Sequence, residues 1–320
     1  MAVDLLGGDD APAVVVDGAL RAVRTDPDLH LLLVGPTEVA GELIGALDPE
    51  QRARVTVRPA RTAIGMADHP TAARADSSVR AAVVAVRDGL ADAIVSAGST
   101  GATVTAAALG LGRWAGVRRP ALVATLPAVA GPVVLLDVGG TLESGPATLA
   151  RHAVLGAAYA AVAHAVAAPR VGLLSVGAEA GKGDRLRRAT DPALAAVPLP
   201  CGARYVGPVE GFDISLGARA DVVVTDGFTG NVLLKAIEGA YAMAGGPPAN
   251  GGAPRAAALL GVAGTVVVCH GAARPDDVAS GIALAAHLWR RGATDTVSTL
   301  LHDLVPDQTD TEVAPSTSRP

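Results

Sequence analysis

Aromatic side chains are nearly missing, at 2% of 320 residues. A core must therefore be built from alanine, valine and leucine, and single-stranded nucleic acid would find few rings to stack on. Excess positive charge is missing too. The formal net charge of −5 and a pI near 5.8 give no basic field for a polyanion or an anionic membrane, so nucleic acid is excluded as a partner and any anion site has to be local. Cysteine occurs only at Cys201 and Cys269, without CxxC spacing, which excludes a disulfide framework; both thiols are expected to be buried. No His/Cys cluster has ligand spacing, so no metal is expected. Long apolar runs are absent as well. The longest uncharged stretches, 93–112 and 256–273, are interrupted by Gly, Ser, Thr or His and are too polar for membrane spans. Met1-Ala2-Val3-Asp4 runs straight into a strand-like segment with no export signal. The expectation is a cytoplasmic protein with no stable membrane insertion.

Lysine is the sharpest scarcity. Of the 26 basic residues only Lys182 and Lys235 are lysine, the rest being arginine. Where a solvated positive charge suffices this chain uses arginine, so a retained lysine points to a need for a compact ammonium. Asparagine is as rare, at Asn231 and Asn250, and Asn231 precedes Lys235 by four residues.

What is present is a repeating alternation. Short apolar runs at 2–6, 29–34, 54–57, 92–96, 121–126, 133–137, 170–176, 221–225 and 265–270 read as strands. Several are continuously apolar, as expected of strands buried on both faces of a mostly parallel sheet. Segments 11–24, 77–88, 100–111, 146–167, 185–189, 228–244 and 275–290 read as helices, and Pro127-Ala128-Val129-Ala130-Gly131-Pro132 as a hairpin adding antiparallel strands. The pattern predicts a three-layer α/β/α sandwich occupying 1–305 as one domain, with 306–320 a polar, disordered tail. One other candidate boundary lies near Pro146.

Reactive groups in such sheets lie beyond the carboxyl ends of the strands, where helix N-termini present free amides. Five Gly-rich turns fall at such junctions: Gly7-Gly8-Asp9, Ser96-Ala97-Gly98-Ser99-Thr100-Gly101, Gly177-Ala178-Glu179-Ala180-Gly181-Lys182-Gly183, Asp226-Gly227-Phe228-Thr229-Gly230-Asn231 and Cys269-His270-Gly271. None has GxGxxG or P-loop spacing, so dinucleotide and ATP binding are disfavoured and no cofactor is expected.

These turns, with Leu135-Leu136-Asp137-Val138-Gly139, Val209-Glu210-Gly211-Phe212-Asp213-Ile214 and Ala220-Asp221-Val222-Val223-Val224-Thr225, carry a resemblance over nearly everything before the tail. The chain is similar to phosphate acyltransferases of the PlsX family, which turn acyl carrier protein thioesters and orthophosphate into acyl phosphate for phospholipid synthesis. The resemblance implies a fold like isocitrate dehydrogenase and phosphotransacetylase, a homodimer, and acyl carrier protein and orthophosphate as partners. It implies catalytic roles for Lys182, holding phosphate or developing negative charge, and for Asn231, directing its amide at the carbonyl oxygen while opening a helix. Gly8, Asp9, Gly98, Ser99, Thr100, Gly101, Asp137, Gly181, Gly183, Asp226, Gly230 and His270 are the expected substrate-binding positions. Asp9, Asp137 and Asp226 are expected to orient loops by accepting backbone hydrogen bonds, Ser99 and Thr100 to contact phosphate or cap a helix, and His270 to assist the departing thiol or serve structurally.

The chain departs from that family at three places. Ser99 stands where members have Asn, the run from Leu136 to Pro146 differs from the usual continuation, and a short Gly/Pro stretch at 245–252 replaces a long helical insertion used in dimer contact and membrane association. A specialised acyltransferase, a phosphotransacetylase-like enzyme acting on a small acyl-CoA, and a catalytically silent binding protein therefore stay open.

Overall fold

The apolar runs are strands because their valines and leucines have two faces to bury, and the helices between them supply the cover. A computed structural model of the chain describes residues 1–65, 68–69, 77–179, 181–245 and 256–304. Its first half contains β1 (Ala2–Asp4), α1 (Ala13–Thr25), β2 (Leu31–Gly35), α2 (Thr37–Gly45), α3 (Pro49–Ala53), β3 (Val55–Pro59), α4 (Ser78–Arg87), β4 (Ala93–Ser96), α5 (Thr100–Gly110), β5 (Ala121–Leu126) and β6 (Val133–Leu136). The second half contains α6 (Pro146–His164), β7 (Arg170–Leu174), α7 (Arg185–Ala196), β8 (Arg204–Val209), α8 (Gly211–Leu216), β9 (Val222–Val224), α9 (Gly227–Met243), β10 (Ala256–Leu260), β11 (Thr265–Cys269), α10 (Pro275–Arg290) and α11 (Ala293–Leu304).

Among the described residues the strands form one sheet in the order β3-β2-β1-β4-β11-β10-β5-β6-β9-β7-β8. Neighbouring strand residues part to opposite faces. Val3 joins a cluster with Val15, Val23, Leu155 and Ile282 from α1, α6 and α10, whereas Ala2 joins one with Val79, Val83 and Ala106 from α4 and α5. Helices thus cover both faces, giving the α/β/α sandwich that the alternation predicts.

Strand direction holds the main departure from expectation. The pairs β11·β10, β10·β5 and β5·β6 are antiparallel, while the remaining neighbours are parallel. Three reversals in succession make β6, β9, β7 and β8 run opposite to β1, β4 and β11. The five Gly-rich turns, expected at equivalent junctions, consequently leave opposite edges of the sheet. Those after β1, β4 and β11 lie on one edge, and those after β7 and β9 on the other, beside the turn after β6.

Other differences have local causes. β8 contains Gly207 and Pro208 and sits at the sheet's edge, opposite a register shift between Val171 and Leu173, so it carries no strand-like run. β10 is alanine-rich and reads as a strand only through its two antiparallel partners. Helix α7 continues to Ala196 through an internal Pro192; α2, α3, α8 and α11 were not expected. Cys269 is buried as anticipated, but Cys201 is exposed on a turn, a correction to the expectation of two buried thiols. The tail 306–320, and the segment 245–252 apart from Gly245, lie outside the described residues. Among the described residues no helix is long and apolar enough to cross a membrane.

Candidate functional site

On the edge reached by β6, β9 and β7, three turns are fastened to one another. Asp137, wholly buried after β6, accepts four backbone N–H groups: Leu122 at 2.9 Å, Gly139 at 3.0 Å, Gly140 at 2.8 Å and Thr141 at 2.6 Å. Four donors need an acceptor, so the turn is shaped around the ionised carboxylate although burial pushes its pKa up. Against this turn lies the start of α9. The Gly227 and Phe228 amides donate to Thr141 O and Leu142 O at 3.0 and 3.3 Å. The Asn231 side-chain Nδ2 donates to Val138 O at 3.0 Å.

Glycine is required here by contact. A Cβ on Gly227 would lie 2.4 Å from Thr141 O, and one on Gly230 only 1.9 Å from Asp137 O. Gly230→Ala is expected to push α9 off the Asp137 turn, breaking the Asn231–Val138 bond. A loss of about 3 kcal/mol is expected, read as a lower urea midpoint at unchanged m.

Asp226, not Asn231, caps α9: its carboxylate accepts from Thr229 N and Thr229 Oγ1, both at 2.9 Å. Asn231 lies in the second helical turn, which corrects its expected place at the helix opening. Burial alone would raise the Asp226 pKa, but the Thr229 bonds and the Arg187 guanidinium outweigh it and hold the carboxyl below the usual carboxylate range. Arg187, from α7, is the hub. Its Nη2 donates to Asp226 Oδ2 at 2.5 Å and Thr225 Oγ1 at 2.8 Å, its Nη1 to Asp184 Oδ2 at 3.0 Å, and its Nε to Leu174 O at 3.2 Å. The ends of β7 and β9 are thereby joined through one buried side chain. Gly183 takes φ +95 with Arg187 Cβ only 2.6 Å from where its own Cβ would stand, and Gly181 takes φ +82. Between these glycines Lys182 is exposed, with no ion-pair partner among the described residues.

The opposite edge gathers Gly8, Asp9, Gly98, Ser99, Thr100, Gly101 and His270. Asp9 acts through its backbone, donating to Gly271 O at 2.8 Å; its side chain is exposed, with no partner among the described residues. The orienting carboxylate there is Asp4, which accepts from Ser96 Oγ at 2.7 Å and Leu6 N at 3.2 Å. Burial pushes the Asp4 carboxyl up, and the Ser78 and Ser96 bonds pull against that. A small pocket is lined by Asp4, Gly7, Ser78, Ser96, Gly98 and Ser99. Ser99 is the N-cap residue of α5 by position, without a capping side-chain bond.

Helix α9 bridges the edges. Asn231, Lys235 and Glu238 follow the i, i+4, i+7 spacing of one helical stripe. Asn231 meets the Asp137 turn, and Glu238 Oε1 lies 3.3 Å from His270 Nε2. Burial pushes Glu238 up to about 7, and burial with the Lys235 charge pushes His270 down. Near neutral pH this contact therefore joins a mostly uncharged imidazole to a half-protonated carboxyl. His270 belongs with Glu238 and not with Asn231, two helical turns away.

Sequence reasoning missed Asp4, Arg187 and Glu238. Glu238 was legible as the third member of the Asn231 stripe; nothing marked Arg187 among so many arginines. No group of three or more His, Cys, Asp or Glu side chains able to hold a metal occurs among the described residues.

The sequence matches the family described as "Fatty acid synthesis protein" over residues 1–246. A phosphate acyltransferase of Thermobifida fusca (strain YX) is 42% identical over 327 residues, taking in 93% of this chain and 89% of the relative. The EutD phosphotransacetylase from Staphylococcus aureus superposes with a TM-score of 0.61 at 18% identity, covering 90% of this chain and 94% of that one. A branched-chain phosphotransacylase from Enterococcus faecalis V583 gives 0.62 at 16% identity, covering 90% and 99%. At such identities the two structures speak for the fold alone.

Proposed function

The chain belongs to the phosphate acyltransferase family of fatty acid synthesis proteins, and from that premise we propose that it transfers an acyl group from acyl carrier protein to orthophosphate. An orthophosphate oxygen attacks the thioester carbonyl carbon, the C–S bond breaks, and the thiolate leaves with a proton given up by phosphate or water. Acyl phosphate and free thiol result. Orthophosphate is largely ionised at neutral pH, so the protein's task is positioning and charge complementarity.

Lys182 is the phosphate ligand in this reading, an exposed ammonium with three rotatable donors and no ion-pair partner among the described residues. Asn231 spends one Nδ2 hydrogen on Val138 O, which fixes the amide plane and leaves the other for the carbonyl oxygen. The observation that carries the reading is the fastening of both turns into one network. Arg187 ties the turn after Lys182 to Asp226, and Asp226 caps the helix bearing Asn231.

The test is phosphate-dependent release of thiol from long-chain acyl carrier protein, with acyl phosphate trapped by hydroxylamine. Turnover that requires phosphate and the carrier protein is expected. Turnover with short acyl-CoA alone would replace the donor by a small soluble thioester. A folded protein inactive with both would overturn the enzymatic reading and leave a binding protein.

A further inference from the structure

The chain has two phenylalanines, Phe212 and Phe228, and its core uses neither: they are 59% and 63% exposed. Both sit in the first turn of a helix, α8 or α9, that follows a strand flanking β7. Register places them at one level. Leu173 pairs with Pro208 on one side and Val224 on the other, so Val176, Phe212 and Phe228 come three or four residues beyond the same line across the sheet. The turn bearing Lys182 follows β7, the strand that lies between β8 and β9.

Phe228 is fixed further by its amide bond to Leu142 O at 3.3 Å, and Leu142 is itself 60% exposed. Phe228 and Val232, the latter 54% exposed, are i, i+4 neighbours on α9, and Phe228 is the i−3 neighbour of Asn231. Apolar side chains scattered singly over a surface are ordinary. Here Leu142 and Phe228 are joined at the start of the helix that carries Asn231, on the edge that also carries Lys182, whose ammonium has no ion-pair partner among the described residues. A polar centre with an apolar surround complements an amphiphile whose head is a phosphate or thioester and whose tail is hydrocarbon.

We propose that the acyl chain lies over the surface formed by Leu142, Phe228 and Val232, continuing toward Phe212 and Val176, and that Phe228 sets the preference for long chains. The assignment rests on the reading of Lys182 and Asn231 given above, and it adds the surface on which the chain lies and the residue that reads its length.

Calorimetric titration with ethylphosphonate and octylphosphonate tests it, since neither compound can react. In the wild type octylphosphonate is expected to bind at least tenfold more tightly than ethylphosphonate. In Phe228→Ala the octyl-to-ethyl ratio is expected to fall at least fivefold. Phe228 is exposed, so truncation is not expected to unfold the protein; a melting curve accompanies each variant, and Leu142→Ser serves as a second variant. Val129→Ala, at an exposed apolar position away from this edge, is the control whose ratio should match the wild type.

A wild-type ratio near one, or an unchanged ratio in Phe228→Ala and Leu142→Ser, overturns the proposal. So does conversion of a dimer to a monomer by Phe228→Ala with the ratio intact, which gives the surface to a second copy of the chain. Octylphosphonate that binds through its chain but is not displaced by orthophosphate keeps the acyl surface and overturns the phosphate site. No binding by either compound overturns both.

Discussion

Lys182→Ala is expected to lower kcat/KM for orthophosphate by about 10²–10³, the range seen when one preorganised donor to developing charge is removed. The side chain is exposed between Gly181 and Gly183 and makes no ion pair among the described residues, so melting temperature should not move. Lys182→Arg is the more informative companion. Arginine keeps the charge but substitutes a planar fork for a compact ammonium, and this chain already prefers arginine almost everywhere else. Recovery of the phosphate KM with kcat still depressed would mean that the ammonium acts on the transition state and does more than attract an anion. Initial rates over a range of phosphate concentrations separate the two parameters. Full activity in Lys182→Ala would remove Lys182 from the reaction.

Arg187→Met should do the greatest damage to stability. It leaves Asp226 with its side chain about 10% exposed and no counter-charge, and removes donors from Thr225 and Leu174 O. Breaking a buried pair from one side costs about 3–5 kcal/mol, because the orphaned charge stays behind. That figure is the penalty of the broken pair and not the net worth of the intact one. Asp226 has a native pKa below its unfolded one, so its contribution is present above the unfolded value and lost as pH falls through the native value. The gap in stability between wild type and Arg187→Met should therefore narrow on acidification. Urea denaturation across the acid range reads both effects, and a gap that widens toward low pH would contradict the assigned pairing. Activity should fall as well, since the Lys182 turn and the cap of α9 lose their common tie.

Much of the candidate site was legible because its residues are rare or fixed by local geometry. Lys182 stood out by the scarcity of lysine, and Asn231 by the scarcity of asparagine. Asp137 and Asp226 followed from the need of a turn or helix start for an acceptor, and both accept backbone amides. Asp9 has the same sequence context, yet its carboxylate accepts no hydrogen bond among the described residues. The duty on that edge falls to Asp4, which reads in the sequence as part of a strand.

The sequence by itself determined the alternation of strands and helices, the β5–β6 hairpin, the glycine-rich turns at strand ends and the family to which the chain belongs. All of these are written in spacings of a few residues, where side-chain periodicity and turn chemistry act. Tertiary structure decided which turns meet. Of the three reversals, β5–β6 and β10–β11 are local hairpins, but the third, β10 with β5, joins segments more than a hundred residues apart, Ala258 with Val123 for example, and no local period records it. Together the three send the turns of β1, β4 and β11 to one edge and those of β6, β9 and β7 to the other. Arg187 joins β7 to β9 only because those strands are neighbours in space, and α9 links Asn231 to His270 only because it crosses from edge to edge.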